Sequence, residues 1–338
     1  MKHEALANAT TDGSGDSRYS VSFDQAVPCS QAHRRALAEV YVADAIPVGA
    51  GECLVAIQIP RAHSLWFDRM IAYHDTLSTV EATRQALTVV GHRYFGIPNN
   101  TQMTLQSLEF SVEDLSAYRD DERSPLEGIV RIRRKNDIDN LGYCKEVCAD
   151  GTLTIGAAKA LTVRWAGIAF PRETYDELRR KQRRTRPSSL ITTVKPPELL
   201  DPSLVGRQDP RNVVLGRPND ESGDEANRFS LVADQRHPYF FDHAYDHVPG
   251  PLFLEAIRQA AIITATNSRA LSSPIAAVTG AVVKFTGFAE LDETVTLSTS
   301  MGGTTELGDV TTTVSLYQFN QQIVNGEVEL SDYPQIED

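Results

Sequence analysis

The sequence predicts an α+β protein made of two similar halves, each a long helix wrapped by an antiparallel sheet. An internal repeat, one helix that is apolar on all sides and a run of alternating strands after each helix carry that prediction. HSLWFD at 63–68 resembles HPYFFD at 237–242, and EATRQA at 81–86 resembles EAIRQA at 255–260. The register holds without a gap, with eight of the 24 positions from 63 to 86 identical to those from 237 to 260. A solenoid repeat has a period of roughly 20 to 50 residues, so this longer period reads as duplication of a whole domain.

The elements follow in order. Residues 1–19 lack the apolar core of a signal peptide and are expected to be a disordered lead-in. The first half, 20–176, has an extended segment at 52–60 (ECLVAIQIP), a His/Asp block, and a helix from about Leu77 to Val90, ending near Gly91. Strands are expected over MTLQSLEFSV, LEGIVRIRRK and the stretch LTIGAAKALTVRWAGIAF, where Val, Ile and Thr recur. A linker at 177–210 begins as a basic helix end, turns Pro- and Ser-rich, and should run over the surface. The second half, 211–335, has RFSLVAD, the second His/Asp block, a helix from about Pro251 to Thr266, and strands at AVTGAVVKFTGFA, ETVTLSTSM, DVTTTVSLYQFN and QIVNGEVEL.

Composition limits the function. At 338 residues, 41% hydrophobic and 23% charged, the chain can build two cores. A net charge of −12 argues against nucleic acid as a partner. No stretch approaches the roughly 20 apolar residues of a membrane helix. Cys29, Cys53, Cys144 and Cys148 are too sparse for a disulfide framework, so free thiols and a cytoplasmic protein are expected. The basic run Arg179, Arg180, Lys181, Arg183, Arg184, Arg186 is read first as a solvated helix terminus that suits the helix dipole. The second reading is a dock for an acidic carrier protein.

The stretch HPYFFDHAYDHVPGPLFLEAIRQAAI, 237–262, carries the chemistry. Apolar residues go right round its helix, which marks it as buried on most sides. Yet Glu255 and Arg258 sit three apart on one face, and each buried ion costs several kcal/mol of desolvation. Such a pair points to a task other than stability, and Glu81 and Arg84 repeat it. Pro251 suits the first helical position. The first-turn N–H groups of Gly250, Leu252 and Phe253 have no intrahelical acceptor and suit an oxyanion. His237, His243 and His247 have no zinc-site spacing, so no metal is expected. His243 first and His247 second are the candidates for proton transfer.

A Pro-Gly-x-Leu-x-x-Glu-Ala string after a histidine loop resembles hotdog-fold acyl-thioester enzymes such as the β-hydroxyacyl carrier-protein dehydratases. The fuller string HPYFFDHAYDHVPGPLFLEAIRQAA is similar to the A-factor biosynthesis (AfsA-type) hotdog family of γ-butyrolactone signalling. The resemblance runs from about 20 to 330; it is strong at the second motif and partial at the first, where Pro-Gly and the later histidines are missing. It implies a tandem double hotdog and transfer of a β-ketoacyl group from acyl carrier protein to dihydroxyacetone phosphate. The resulting ester closes to a butenolide phosphate, on the way to a signalling lactone or furan that regulates secondary metabolism.

On this resemblance, Glu255 or His243 would be the general base, with His247 and Glu81 as further catalytic candidates. Arg258 or Arg84 would clamp the phosphate, Gly250 would hold the oxyanion, and His237 and Gln259 would complete the binding set. No cofactor is implied, the second half is expected to hold the principal site, and a homodimer is allowed. Another hotdog activity (dehydratase or thioesterase) and a non-catalytic lactone-binding protein are the competing readings.

Overall fold

The computed structural model describes residues 19–135, 140–141, 144–186, 197–218 and 227–334. The lead-in expected at 1–19 and the Pro- and Ser-rich middle of the linker lie almost entirely outside the described residues.

In the first half, β1 (Val42–Gly49) and β2 (Glu52–Ile59) form a hairpin, followed by helix α1 (Thr76–Arg93). Next come β3 (Thr101–Val112), β4 (Leu126–Arg134), the two-residue β5 (Asn140–Leu141), β6 (Cys144–Ile155), β7 (Ala158–Pro171) and helix α2 (Arg172–Arg184). The second half has β8 (Leu215–Gly216), β9 (Arg228–Leu231), helix α3 (Gly250–Asn267), β10 (Ala276–Phe285), β11 (Thr296–Thr304), β12 (Val310–Gln318) and β13 (Gln321–Asp332).

Every strand pairing is antiparallel, and the strands make one sheet in the order β1-β2-β4-β6-β7-β3-β10-β13-β12-β11-β9-β8, with β5 on β6. The halves join where β3 pairs β10, from Gly280 opposite Ser111 to Lys284 opposite Ser107. Helix α1 lies against β1, β2, β4 and β6, and α3 against β11, β12 and β13. The buried apolar side chains of both halves form one continuous core.

Three expectations needed correction. The stretch 153–170 is a hairpin, turning at Gly156 in the left-handed region with φ 57°, where a side chain would be strained. Strand β1 was not anticipated. It carries Asp44 and Pro47, poor strand formers, and it survives as an end strand of the sheet, where a missing N–H costs no ladder bond. The end of the linker is not superficial: Val205 and Arg207 are buried.

Candidate active site

The duplication builds one hydrogen-bond network twice. His63 Nδ1 lies 3.2 Å from the Leu65 N–H and 3.0 Å from the Trp66 N–H, and His237 Nδ1 lies 3.3 Å from those of Tyr239 and Phe240. Backbone N–H groups only donate, so both rings carry their proton on Nε2. That proton faces Glu39 at 3.1 Å in one half and Asn212 Oδ1 at 3.0 Å in the other. The side-chain amides of Gln85 and Gln259 donate to the carbonyls of Glu39 and Asn212, and also to Glu81 and Glu255.

At the centre of each network two guanidiniums grip one carboxylate. Glu81 accepts from Arg34 and from Arg84, the latter through two bonds of 2.8 Å. Glu255 accepts from Arg207 at 3.0 and 2.7 Å and from Arg258 at 3.0 and 2.7 Å. Burial alone would raise both carboxyls, but the paired arginines outweigh it and hold each down at about 2. A carboxylate so firmly ionised, with its lone pairs taken, is a poor proton acceptor and a good anchor for guanidiniums.

The sequence candidates fall into two places. Glu81, Arg84, His243, His247 and Gly250 line a cavity of about 1040 Å³ where α1 of the first half meets the start of α3 of the second. Glu255, Gln259 and His237 do not line it, and Arg258 lines a separate pocket of about 30 Å³. Thus Glu255 shares no cavity with His243 or His247, whereas Glu81 does. His237 is buried against Phe240, with ring centroids 4.4 Å apart. Burial pushes its pKa down to about 4, so it serves as a neutral structural ring. The Leu252 N–H is not open to a ligand, because it donates to Pro249 O at 3.0 Å.

The cavity's histidines are held by adjacent carboxylates. His247 Nδ1 is 2.7 Å from Asp246 Oδ1; a carboxylate accepts, so in the neutral ring Nε2 carries the lone pair. The Tyr175 hydroxyl donates to the same Asp246 oxygen at 2.8 Å, and Arg179 Nε donates to the other at 2.8 Å. Burial alone would raise Asp246; the hydrogen bonds from His247, Arg179 and Tyr175 hold it far below the usual carboxylate range. His243 Nδ1 is 3.2 Å from Asp242, and its ring lies 4.1 Å from that of Tyr245.

Sequence reasoning missed Arg34, His33, Tyr175 and Arg207. The arginines had a signal, since Arg34 lies 47 residues before Glu81 and Arg207 lies 48 before Glu255. One gap in the repeat aligns them. The basic run divides between the two readings given to it. Arg179 is buried on Glu290 and Asp246, and Arg183 and Arg186 also reach Glu290. Arg180, Lys181 and Arg184 stay exposed. His237, His243 and His247 have three different partners, and among the described residues no cluster of His, Cys, Asp and Glu is placed to hold a metal ion. No described helix is long and apolar enough to cross a membrane.

Comparison with known proteins agrees with this duplicated geometry. The sequence model of the A-factor biosynthesis hotdog domain matches residues 16–157 and again 191–331. The chain belongs to the A-factor biosynthesis hotdog family. Its fold is accordingly a tandem double hotdog, two copies of the domain side by side in one sheet. Among similar members is a 2-oxo-3-(phosphooxy)propyl 3-oxoalkanoate synthase of Streptomyces virginiae, 29% identical over 70% of this chain and 76% of that one. Proteins of the same name from Streptomyces coelicolor and Streptomyces griseus are 25% and 26% identical. They cover 70% and 69% of this chain, and 72% and 73% of their own lengths.

Proposed function

We propose that this chain is an acyltransferase that joins a β-ketoacyl group, delivered as a carrier-protein thioester, to the hydroxyl of dihydroxyacetone phosphate. One observation carries the reading: a single cavity of about 1040 Å³ brings the Asp246–His247 pair together with Arg84 of the opposite half. The related synthases are named for an ester of a 3-oxoalkanoate with a phosphooxy-oxopropyl group, which is the product of that reaction.

His247 Nε2 takes the proton of the acceptor hydroxyl as its oxygen attacks the thioester carbonyl. Asp246 stabilises the imidazolium that forms. The carbonyl oxygen becomes an oxyanion near the Gly250 end of α3, where the helix dipole is positive. As the C–O bond is completed the C–S bond breaks, and the thiol leaves with the proton held by His247. Thiolates are good leaving groups because thiols are far more acidic than alcohols. Arg84, whose part-exposed side chain lines the cavity, faces the acceptor's phosphate. Its fork suits that group better than a lysine would. His243 is the second proton-transfer candidate. Intramolecular condensation of the ester then gives a butenolide phosphate, the precursor of a γ-butyrolactone-type signal. The exposed Arg180, Lys181 and Arg184 on α2, whose inner face lines the cavity, support an acidic acyl carrier protein as the cytoplasmic donor.

The test is to incubate the protein with β-ketoacyl carrier protein and dihydroxyacetone phosphate and follow products by mass spectrometry. The expected product is the phosphorylated ester or its butenolide. Release of free acid whether or not the acceptor is present would make the protein a thioesterase and end this reading.

A further inference from the structure

The two carboxylate–arginine centres come from one ancestral unit, yet they differ in three ways that all favour one of them. The first is charge. At Glu255 the two guanidiniums meet a second carboxylate, because Arg207 Nη2 is 3.1 Å from Asp75 as well as 2.7 Å from Glu255. Two cations face two anions there. The position that matches Asp75 in the gapless repeat is Pro249, which carries no charge. Around its guanidiniums the Glu81 centre therefore keeps two cations against one carboxylate, the nearby buried Glu39 being engaged by Tyr41 and His63 instead.

The second difference is saturation. Arg207 uses all three nitrogens: Nε and Nη2 on carboxylates, and Nη1 on the carbonyls of Leu65 and Asp68 at 3.2 and 3.1 Å. Arg34 donates to Glu81 through Nη2, while its buried Nε has no partner among the described residues, although the side chain lines the large cavity. A buried guanidinium nitrogen without an acceptor is destabilising, so Arg34 keeps donor capacity beside the cavity that Arg207 has used up.

The third is the residue just before each arginine. It is left-handed in both copies, Gly206 with φ 66° and His33 with φ 51°. In the closed copy only glycine fits, since a Cβ at Gly206 would come 2.5 Å from Pro274 O. In the open copy a histidine accepts the strained conformation and lines the cavity. Its Nε2 is 2.8 Å from His92. Burial, then His92 and Arg84, push its pKa down to about 3, as expected where positive charge is in excess.

We propose that Arg34 and Arg84 together form a subsite for a phosphomonoester dianion, and that this is the working copy of a duplicated site whose twin at Arg207 and Arg258 is closed. The inference rests on the acyl-transfer reading only for naming that phosphomonoester as dihydroxyacetone phosphate. The test is calorimetric titration of the full chain with inorganic phosphate, beside steady-state kinetics with both substrates. One phosphate per chain is expected in the wild type. Arg34→Gln and Arg84→Gln should each weaken it about tenfold or more, and should raise KM for dihydroxyacetone phosphate by a similar factor with KM for the acyl donor unchanged. Should the buried Arg34→Gln variant fail to fold, Arg84→Gln carries the test, because that side chain is 29% exposed. Unchanged phosphate binding in the folded variants, or two phosphates per chain, overturns the proposal. Phosphate bound in the expected pattern with no ester formed would sink the acyl-transfer reading and leave the subsite standing.

Discussion

At the scale of single residues, the structure separates groups that move protons from groups that hold charge. His247 has an acceptor on one ring nitrogen and a lone pair on the other, so His247→Ala should lower kcat about a hundredfold or more with little change in KM for dihydroxyacetone phosphate. Steady-state kinetics at saturating acyl donor checks this, and an unchanged kcat moves the proton to His243. Glu81 behaves differently. Glu81→Gln strands the buried Arg34 and the part-buried Arg84 and should cost about 3–5 kcal/mol of stability in urea unfolding; a folded, fully stable variant with no activity would make Glu81 the base instead. Acid lability follows from the same groups. Both central glutamates have folded pKa values of about 2 against an ordinary 4.5, so their stabilising contribution is complete above pH 4.5 and is lost as pH falls toward 2. His237, at about 4 against an ordinary 6.5, is protonated more readily unfolded than folded, so stability also falls as pH drops from 6.5 to 4. Melting temperatures should decline steadily below pH 6.5, and a flat profile down to pH 4 contradicts these assignments. The sequence pointed to His243, His247, Glu255 and Arg258 because those residues lie within one short stretch, and to Glu81 and Arg84 because the repeat copies the pair. It was silent on His33 and Tyr175, whose partners lie far along the chain and meet them only in the fold, and it showed Arg34 only as a match to Arg207 across a gap in the repeat.

At the scale of elements, α3 was legible because an apolar run capped by Pro-Gly has few other solutions, and it spans Gly250–Asn267. Strand β1 was not, since it carries the poor strand formers Asp44 and Pro47 and its place at the sheet's end is what lets it be a strand. The β6–β7 hairpin was hidden because both strands share one alternating pattern and the turn has only Gly156 to mark it. Strand β3 carries a bulge that the pattern also conceals: its register with β7 shifts between Leu105 and Ser107. Opposite the bulge stands Gly167, where a Cβ would come 2.5 Å from Thr104 O, and Thr104, Leu105, Gln106 and Gly167 all line the large cavity. Gly167→Ala should therefore destabilise the protein by about 1–3 kcal/mol. It should also impair longer acyl donors more than short ones, measured as kcat/KM across a chain-length series. Equal effects at every length would show that the bulge does not meet the acyl chain.

At the scale of the whole molecule, the halves are clasped reciprocally. Asp68 of the first half accepts from the N–H groups of Gln208 and Asp209, while Asp242 of the second accepts from those of Arg35 and Ala36. Together with the β3–β10 seam this makes one cooperative unit. Calorimetry should show a single unfolding transition, and residues 20–176 expressed alone should fail to give a monomer with a native melt. Two separated transitions would show that the clasps are weak. Duplication was plain in the sequence; the exchange of loops between halves was not, because each clasp joins positions more than 130 residues apart. The ends of the sheet have a consequence for assembly. One end is β1, with Pro47 and two irregularities in its register with β2; the other is β8, two residues long and bridged at Gly216 by Leu199. Neither edge offers a straight row of unpaired donors and acceptors for another copy to extend. Two molecules that met would have to do so through their faces, by side chains rather than backbone, so oligomeric state is free to vary with surface mutations that leave the sheet untouched.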